Sequence, residues 1–266
     1  MRVHLFQMSL DWEDRHKNFD RVERLAGEIA GPSAIRRGDL VVLPELFDSG
    51  FSLNTDRTND DLGETLAFLA RFSAQTGCVV QGGRTVRDGS EKALNCAPVF
   101  SGAGELVAEY AKVHPFSFGR EPEKFRGGES VLTYGWGTGE EALTVCPAIC
   151  YDLRFPELFR LGMLKGAEAF AIGANWPRPR TGHWRALAIA RAIENQAFVF
   201  AVNRCGEDPH LGYDGNSMVV GPTGDVLGEL GDAEGVLSVE VDAEAVRSWR
   251  AAFPAWRDVR LLGNDD

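Results

Sequence analysis

The chain predicts a layered α/β fold in a single domain. Three observations carry this: short apolar β-type runs recur along its 266 residues, helical patterns separate some of them, and glycine turns join others directly. The runs at 3–8, 40–43, 78–81, 97–100, 143–149, 169–173, 197–202, 217–220 and 236–241 are mostly apolar at both alternate positions, which suits strands covered on both faces. Segments 13–30, 61–76, 156–165 and 182–196 repeat apolar residues at three- and four-residue spacing and predict amphipathic helices. The stretches 100–106 and 220–226 pass from one run to the next through Gly102, Gly104, Gly221 and Gly224, as hairpins do, so the sheets cannot be wholly parallel. Two hairpin-bearing sheets face to face, with helices outside, account for the doubly buried runs. No repeat, linker or shift in composition marks a second domain. The domain is expected over 1–245, followed by a tail over 246–266 that carries Trp249, Phe253, Pro254 and Trp256. That tail is too aromatic for a solvated end and is expected to pack on the body or at a dimer interface.

Hydrophobic residues make up 44% and charged residues 25%, enough apolar material for a core. The net charge of −11, with no basic stripe to offset it, excludes nucleic acid as a natural partner. Residues 1–10 lack the apolar region of a signal peptide, and no apolar stretch approaches a membrane span, so neither export nor membrane binding is expected and the cytoplasm is the default location. The five cysteines are odd in number, which argues against a disulfide framework. Only Cys146 and Cys150 are close enough to resemble a zinc pair, and the scattered histidines supply no second half, so no metal is expected.

Chemistry can sit in three places. In 143–157 an apolar strand runs into Cys150 and then a helix start, the layout of a nucleophile elbow in which backbone N–H groups stabilise an oxyanion and a helix N-terminus favours the thiolate. The alternative is an ordinary buried cysteine. In 39–47 a wholly apolar strand ends in Pro44 and Glu45; at the mouth of a pocket, desolvation would raise this carboxyl and suit it to general-base work, whereas on a loop it would only bond backbone N–H groups. Lys112 ends an alternating β-type run. Its ammonium could lower a neighbouring thiol and hold an oxyanion, or simply be a solvated edge residue. His114 offers a rival Cys–His dyad.

Together these segments resemble the nitrilase (carbon–nitrogen hydrolase) superfamily: Pro44-Glu45 at a strand end, Lys112 before His114, and Cys150-Tyr151-Asp152-Leu153-Arg154-Phe155-Pro156-Glu157, in that order. The resemblance runs from Val3 to about Arg257. The segments Asn175-Trp176-Pro177-Arg178-Pro179-Arg180, Arg191-Ala192-Ile193-Glu194-Asn195-Gln196 and Phe253-Pro254-Ala255-Trp256 are similar to the bacterial omega-amidase branch, whose substrates are 2-oxoacid monoamides. The resemblance implies a four-layer α-β-β-α sandwich, usually dimeric, acting on a small-molecule amide without a cofactor. It further implies a Glu45–Lys112–Cys150 triad, an oxyanion site at the Tyr151 backbone N–H, and a second glutamate, with Glu121 the best match and Glu123 its rival. Asp152, Arg154 and Glu157 are expected to buttress the elbow. An omega-amidase must also bind a carboxylate, for which Arg178 and Arg180 are the candidates, while Phe47, Phe51 and Trp176 could wall the pocket. Amidases for deaminated glutathione or N-carbamoyl amines, true nitrilases and a catalytically idle binding module remain as alternatives.

Overall fold

The computed structural model describes residues 1–261. Among these residues fifteen strands are present in chain order: β1 (Arg2–Gln7), β2 (Leu40–Val42), β3 (Val79–Gln81), β4 (Arg84–Val86), β5 (Leu94–Phe100), β6 (Leu106–Ala111), β7 (Tyr134–Trp136), β8 (Leu143–Ile149), β9 (Ala169–Ala174), β10 (Phe198–Asn203), β11 (Cys205–Glu207), β12 (Gly212–Asp214), β13 (Met218–Val220), β14 (Val226–Glu229) and β15 (Gly235–Glu240). Six α-helices accompany them: α1 (Arg15–Glu28), α2 (Thr55–Thr58), α3 (Glu64–Thr76), α4 (Pro156–Leu164), α5 (Thr181–Asn195) and α6 (Ala243–Ala252).

Two sheets are built alike. One runs β15-β1-β2-β3-β5-β4 with β6 on β5; the other runs β14-β13-β10-β9-β8-β7. In each, three central strands are parallel, β1-β2-β3 and β8-β9-β10, and antiparallel strands close the flanks. The hairpins at 100–106 and 220–226 are β5–β6 and β13–β14.

Strand alternation explains the double burial. Val3, Leu5, Leu40 and Val42 of the first sheet pack with Ala169, Ala171, Phe198 and Phe200 of the second, forming the core between sheets. The intervening residues Phe6, Val41 and Leu43 pack with Phe19, Val22 and Phe68 of α1 and α3. On the far side Cys146, Phe170 and Val199 pack with Phe159, Met163 and Ala188 of α4 and α5. The result is the expected α-β-β-α sandwich, apolar on both faces of each sheet because each sheet is covered twice.

Helix ends differ from the sequence reading by a few residues, for local reasons. Helix α1 starts at Arg15 because the Asp14 side chain accepts from the Lys17 N–H, and α3 starts after Gly63, a left-handed residue, with the Thr65 N–H donating to Asp60. The tail packs on the body: Val246 is fully buried, and Arg250 donates to the carbonyls of Ala167, Asn195 and Gln196. Residues 262–266 of the expected tail lie outside the described residues. Among the described residues no helix is long and apolar enough to cross a membrane.

Candidate active site

The chemistry-bearing side chains lie within three residues of strand ends. Glu45 comes three residues after β2, Lys112 immediately after β6, Cys150 immediately after β8 and Asn175 immediately after β9. Crevices outside the carboxyl ends of parallel strands are the usual ligand sites of open α/β sheets, because the chain diverges there. The turn carrying Glu45 is clamped by bare backbone. A Cβ on Gly173 of β9 would stand 2.7 Å from the Leu43 carbonyl oxygen and 3.0 Å from the Glu45 nitrogen, and one on Gly83 would stand 2.5 Å from the Leu46 nitrogen. Leu46 itself has φ +44°.

Cys150 also has φ +44°, a conformation that costs a non-glycine residue about 1–3 kcal/mol. Asp152 holds this bend: its carboxylate accepts from the Ile149 N–H at 3.0 Å, the Tyr110 hydroxyl at 2.7 Å and the His114 N–H at 3.0 Å. The imidazole of His114 also pairs with Asp152, at 2.8 Å, and stacks on Phe155, so it is committed away from a dyad with Cys150. The chain after the elbow is a 3-10 turn over Cys150–Arg154, and α4 begins only at Pro156.

Lys112 Nζ donates to Glu45 Oε1 at 2.7 Å and to both Glu121 oxygens at 3.1 and 2.8 Å. All three side chains are buried. One amide of Asn95 donates to both glutamates, at 2.8 and 3.1 Å, and the Asn175 N–H donates to Glu45 Oε2 at 3.0 Å. Glu121 also accepts from the Phe116 N–H, at 2.5 Å. Glu123 lies on the exposed side of its 3-10 turn, paired with Arg120, so the glutamate next to Lys112 is Glu121.

The electrostatics correct two expectations. Burial works to raise the Glu45 carboxyl, but the Lys112 ammonium and the converging donors outweigh it and the net shift is downward. For Cys150, burial and the Glu45 charge push the thiol well above its ordinary value, against the pull of Lys112. The resting site is therefore a thiol beside a carboxylate and an ammonium. Lys112 itself is held charged, since the two carboxylates overcome its burial.

A cavity of about 460 Å³ opens over this cluster, reaching Glu45, Lys112, Cys150 and Asn175, with Trp12, Phe51 and Phe116 among its walls. A narrower recess that shares Phe116, Cys150, Asn175 and Pro177 with this cavity is bounded by Tyr151, Arg154, Trp176 and Arg180. Trp176 and Arg180 thus reach the site, as does Phe51. Phe47 does not: it is fully buried in the core against Phe19 and Phe68, because the turn at Leu46 sends it toward the helices. Nor does Arg178, whose guanidinium pairs on the surface with Asp214 at 2.5 Å. Arg154, expected only to buttress the elbow, lines the recess. Asn95, Gly83 and Gly173 carried no local signal; only their approach to the Glu45 turn reveals them.

The carbon–nitrogen hydrolase family matches residues 2–251. The chain is a carbon–nitrogen hydrolase. It is similar to the 2-oxoglutaramate amidase of Bacillus subtilis strain 168, 35% identical over 85% of this chain and 86% of that protein. It is also similar to omega-amidase YafV of Escherichia coli K12, at 31% identity over 97% of this chain and 96% of the relative. Among solved structures, a CN-hydrolase superfamily protein of Xanthomonas campestris with an arsenic adduct in its active site superposes with a TM-score of 0.89, at 33% identity over 99% of this chain and 98% of that one. The hydrolase is thus an amidase of the nitrilase superfamily, on its omega-amidase-like branch.

Proposed function

We propose that this amidase hydrolyses the terminal amide of a small 2-oxoacid monoamide, 2-oxoglutaramate or 2-oxosuccinamate, through a thioester on Cys150. The observation that carries the mechanism is the buried cluster in which one ammonium, Lys112, bridges Glu45 and Glu121 at the floor of the cavity reached by Cys150. The similarity to a bacterial 2-oxoglutaramate amidase and to a bacterial omega-amidase supports the substrate class.

Because the resting thiol is protonated and Glu45 is ionised, attack and proton transfer run together. Glu45 takes the thiol proton as Cys150 Sγ forms a bond to the amide carbon. The carbonyl oxygen becomes an oxyanion, held by Lys112 and the Tyr151 backbone N–H. Glu45 then gives its proton to the nitrogen, the carbon–nitrogen bond breaks and ammonia leaves. Water, oriented by Glu121 and deprotonated by Glu45, attacks the thioester and releases the acid with the thiol restored. Each step uses groups of this chain and water.

The test is ammonia release from 2-oxosuccinamate and 2-oxoglutaramate, run beside a carbamoyl compound, a nitrile and the Cys150→Ala variant. Cysteine-dependent release favouring the 2-oxoacid amides is expected. Cysteine-dependent release from another compound alone would overturn the substrate but not the chemistry.

A further inference from the structure

Asn95 sits among the charges of the site although it carries none. It is the second residue of β5, 1% exposed, and its backbone carbonyl accepts from the Lys112 N–H at 2.9 Å, so the strand pairing that delivers Lys112 also delivers Asn95. Its side-chain nitrogen donates to Glu45 Oε1 at 2.8 Å and to Glu121 Oε1 at 3.1 Å. Its side-chain oxygen is buried and has no hydrogen-bond partner among the described residues. An amide placed only to stabilise the fold would satisfy both ends, because a buried carbonyl without a donor costs free energy. Turning this one over would set its oxygen against two carboxylates, so the unpaired end follows from serving both glutamates.

The bonds around Glu45 make its two oxygens unequal. Oε1 accepts from the Lys112 ammonium at 2.7 Å and from Asn95 at 2.8 Å, which fills both of its lone-pair directions. Oε2 accepts from the Asn175 N–H at 3.0 Å. Its second contact, with the Asn175 side-chain nitrogen, is long at 3.3 Å, because the shorter bond of that nitrogen, 2.6 Å, goes to the Glu45 carbonyl. The same Asn175 N–H also bonds the Cys150 sulfur. Oε2 is therefore the less occupied oxygen and the one that shares a donor with the thiol. The ionisable groups gathered around Glu45 are Lys112, Glu121 and Cys150.

We propose that Asn95 is a positioning residue of the hydrolysis: with Lys112 it fills Glu45 Oε1, so that Oε2 takes the Cys150 proton and returns it to the leaving nitrogen. The inference rests on the Cys150 mechanism proposed above and not on the identity of the acyl chain. In the first step the S–H bond breaks as sulfur bonds to the amide carbon, and the proton lands on Oε2. In the second the O–H bond breaks, the nitrogen gains that proton and the carbon–nitrogen bond breaks. Oε1 keeps the same two donors throughout, so the carboxyl does not rotate between the steps. The second amide proton of Asn95 holds Glu121 beside Lys112 in the same way.

Asn95→Ala tests this through the pH dependence of two reactions at Cys150. One is turnover of 2-oxosuccinamate; the other is alkylation by iodoacetamide, which needs the same proton removed but no acyl substrate. The other four cysteines are buried and do not line the cavity. Losing one hydrogen bond raises the affinity of an ionised carboxyl for a proton, so the acid limbs of kcat/KM and of the alkylation rate should both move to higher pH, by about one to two units. KM should stay within about twofold while kcat falls, since Asn95 does not line the cavity. Asn95→Ser, whose single hydroxyl proton cannot serve two carboxylates, should move both limbs the same way and replaces the alanine variant if that does not fold. A purely structural role would lower each rate equally at every pH and leave both limbs in place. That result overturns the proposal, while turnover of 2-oxosuccinamate by wild type would still uphold the substrate reading. If the alkylation limb moves but wild type does not turn over 2-oxosuccinamate, the role of Asn95 stands and the substrate reading fails.

Discussion

Replacing Lys112 by Met removes the single cation from a site with two buried carboxylates and keeps an unbranched side chain only one atom shorter. Three hydrogen bonds, at 2.7, 2.8 and 3.1 Å, are lost, and Glu45 and Glu121 are left facing each other with 2% and 0% of their surface exposed. Breaking a buried ion pair from one side costs about 3–5 kcal/mol, and at roughly 2–4 °C per kcal/mol for a chain near this size the midpoint should fall by about 6–20 °C at pH 8. The pH dependence gives the sharper test. In wild type the Glu45 pKa is lowered in the folded state, so its contribution is present above the ordinary carboxylate range and is lost as pH falls through the folded value. Without Lys112, burial and a like charge raise that pKa, so the variant gains stability as pH falls through the raised value. Thermal unfolding of both proteins from pH 8 to pH 5 should therefore show the gap between their midpoints narrowing. A gap below about 1 kcal/mol at pH 8, or one constant across this range, would refute the assignment of a buried, charged bridge.

Other substitutions probe separate parts of the account. Gly173→Ala drives a Cβ against the Leu43 carbonyl and the Glu45 nitrogen, so it should cost about 1–3 kcal/mol by denaturant unfolding and lower kcat about a hundredfold by moving the Glu45 turn. His114→Gln should keep turnover within about tenfold of wild type, since its ring serves Asp152; a loss of about 10³-fold or more in kcat would restore the Cys–His dyad. Arg178→Ala removes an exposed ion pair, so it should leave the unfolding midpoint at the wild-type value and change KM for 2-oxosuccinamate by less than about twofold.

Much of this architecture is legible along the chain because the two sheets are covered on both faces. Continuous apolar runs such as β8 and β10 stand out from their surroundings, and their alternate residues supply two different cores. Strands β4, β11 and β12 do not stand out: each has three residues and mixed polarity, so no apolar run marks them. At the site, the strand-end positions of Glu45, Lys112 and Cys150 left a structural reading open for each, and it was their order in the family resemblance that singled them out. The charge states were not readable, since they depend on how many carboxylates converge on one ammonium across residues far apart in sequence. Phe47 and Arg178 show the same limit. Proximity in sequence to Glu45 or Trp176 says nothing about which way a turn at φ +44° or a Pro-flanked 3-10 turn sends the next side chain.

The most direct test of the central claim is mass spectrometry of the enzyme acid-quenched during turnover of 2-oxosuccinamate. The account predicts an adduct on Cys150, with the mass of the substrate less ammonia, that disappears as substrate is exhausted and never forms in Cys150→Ala. Steady turnover with no adduct on Cys150, or turnover that survives its replacement by Ala, would contradict the thioester mechanism.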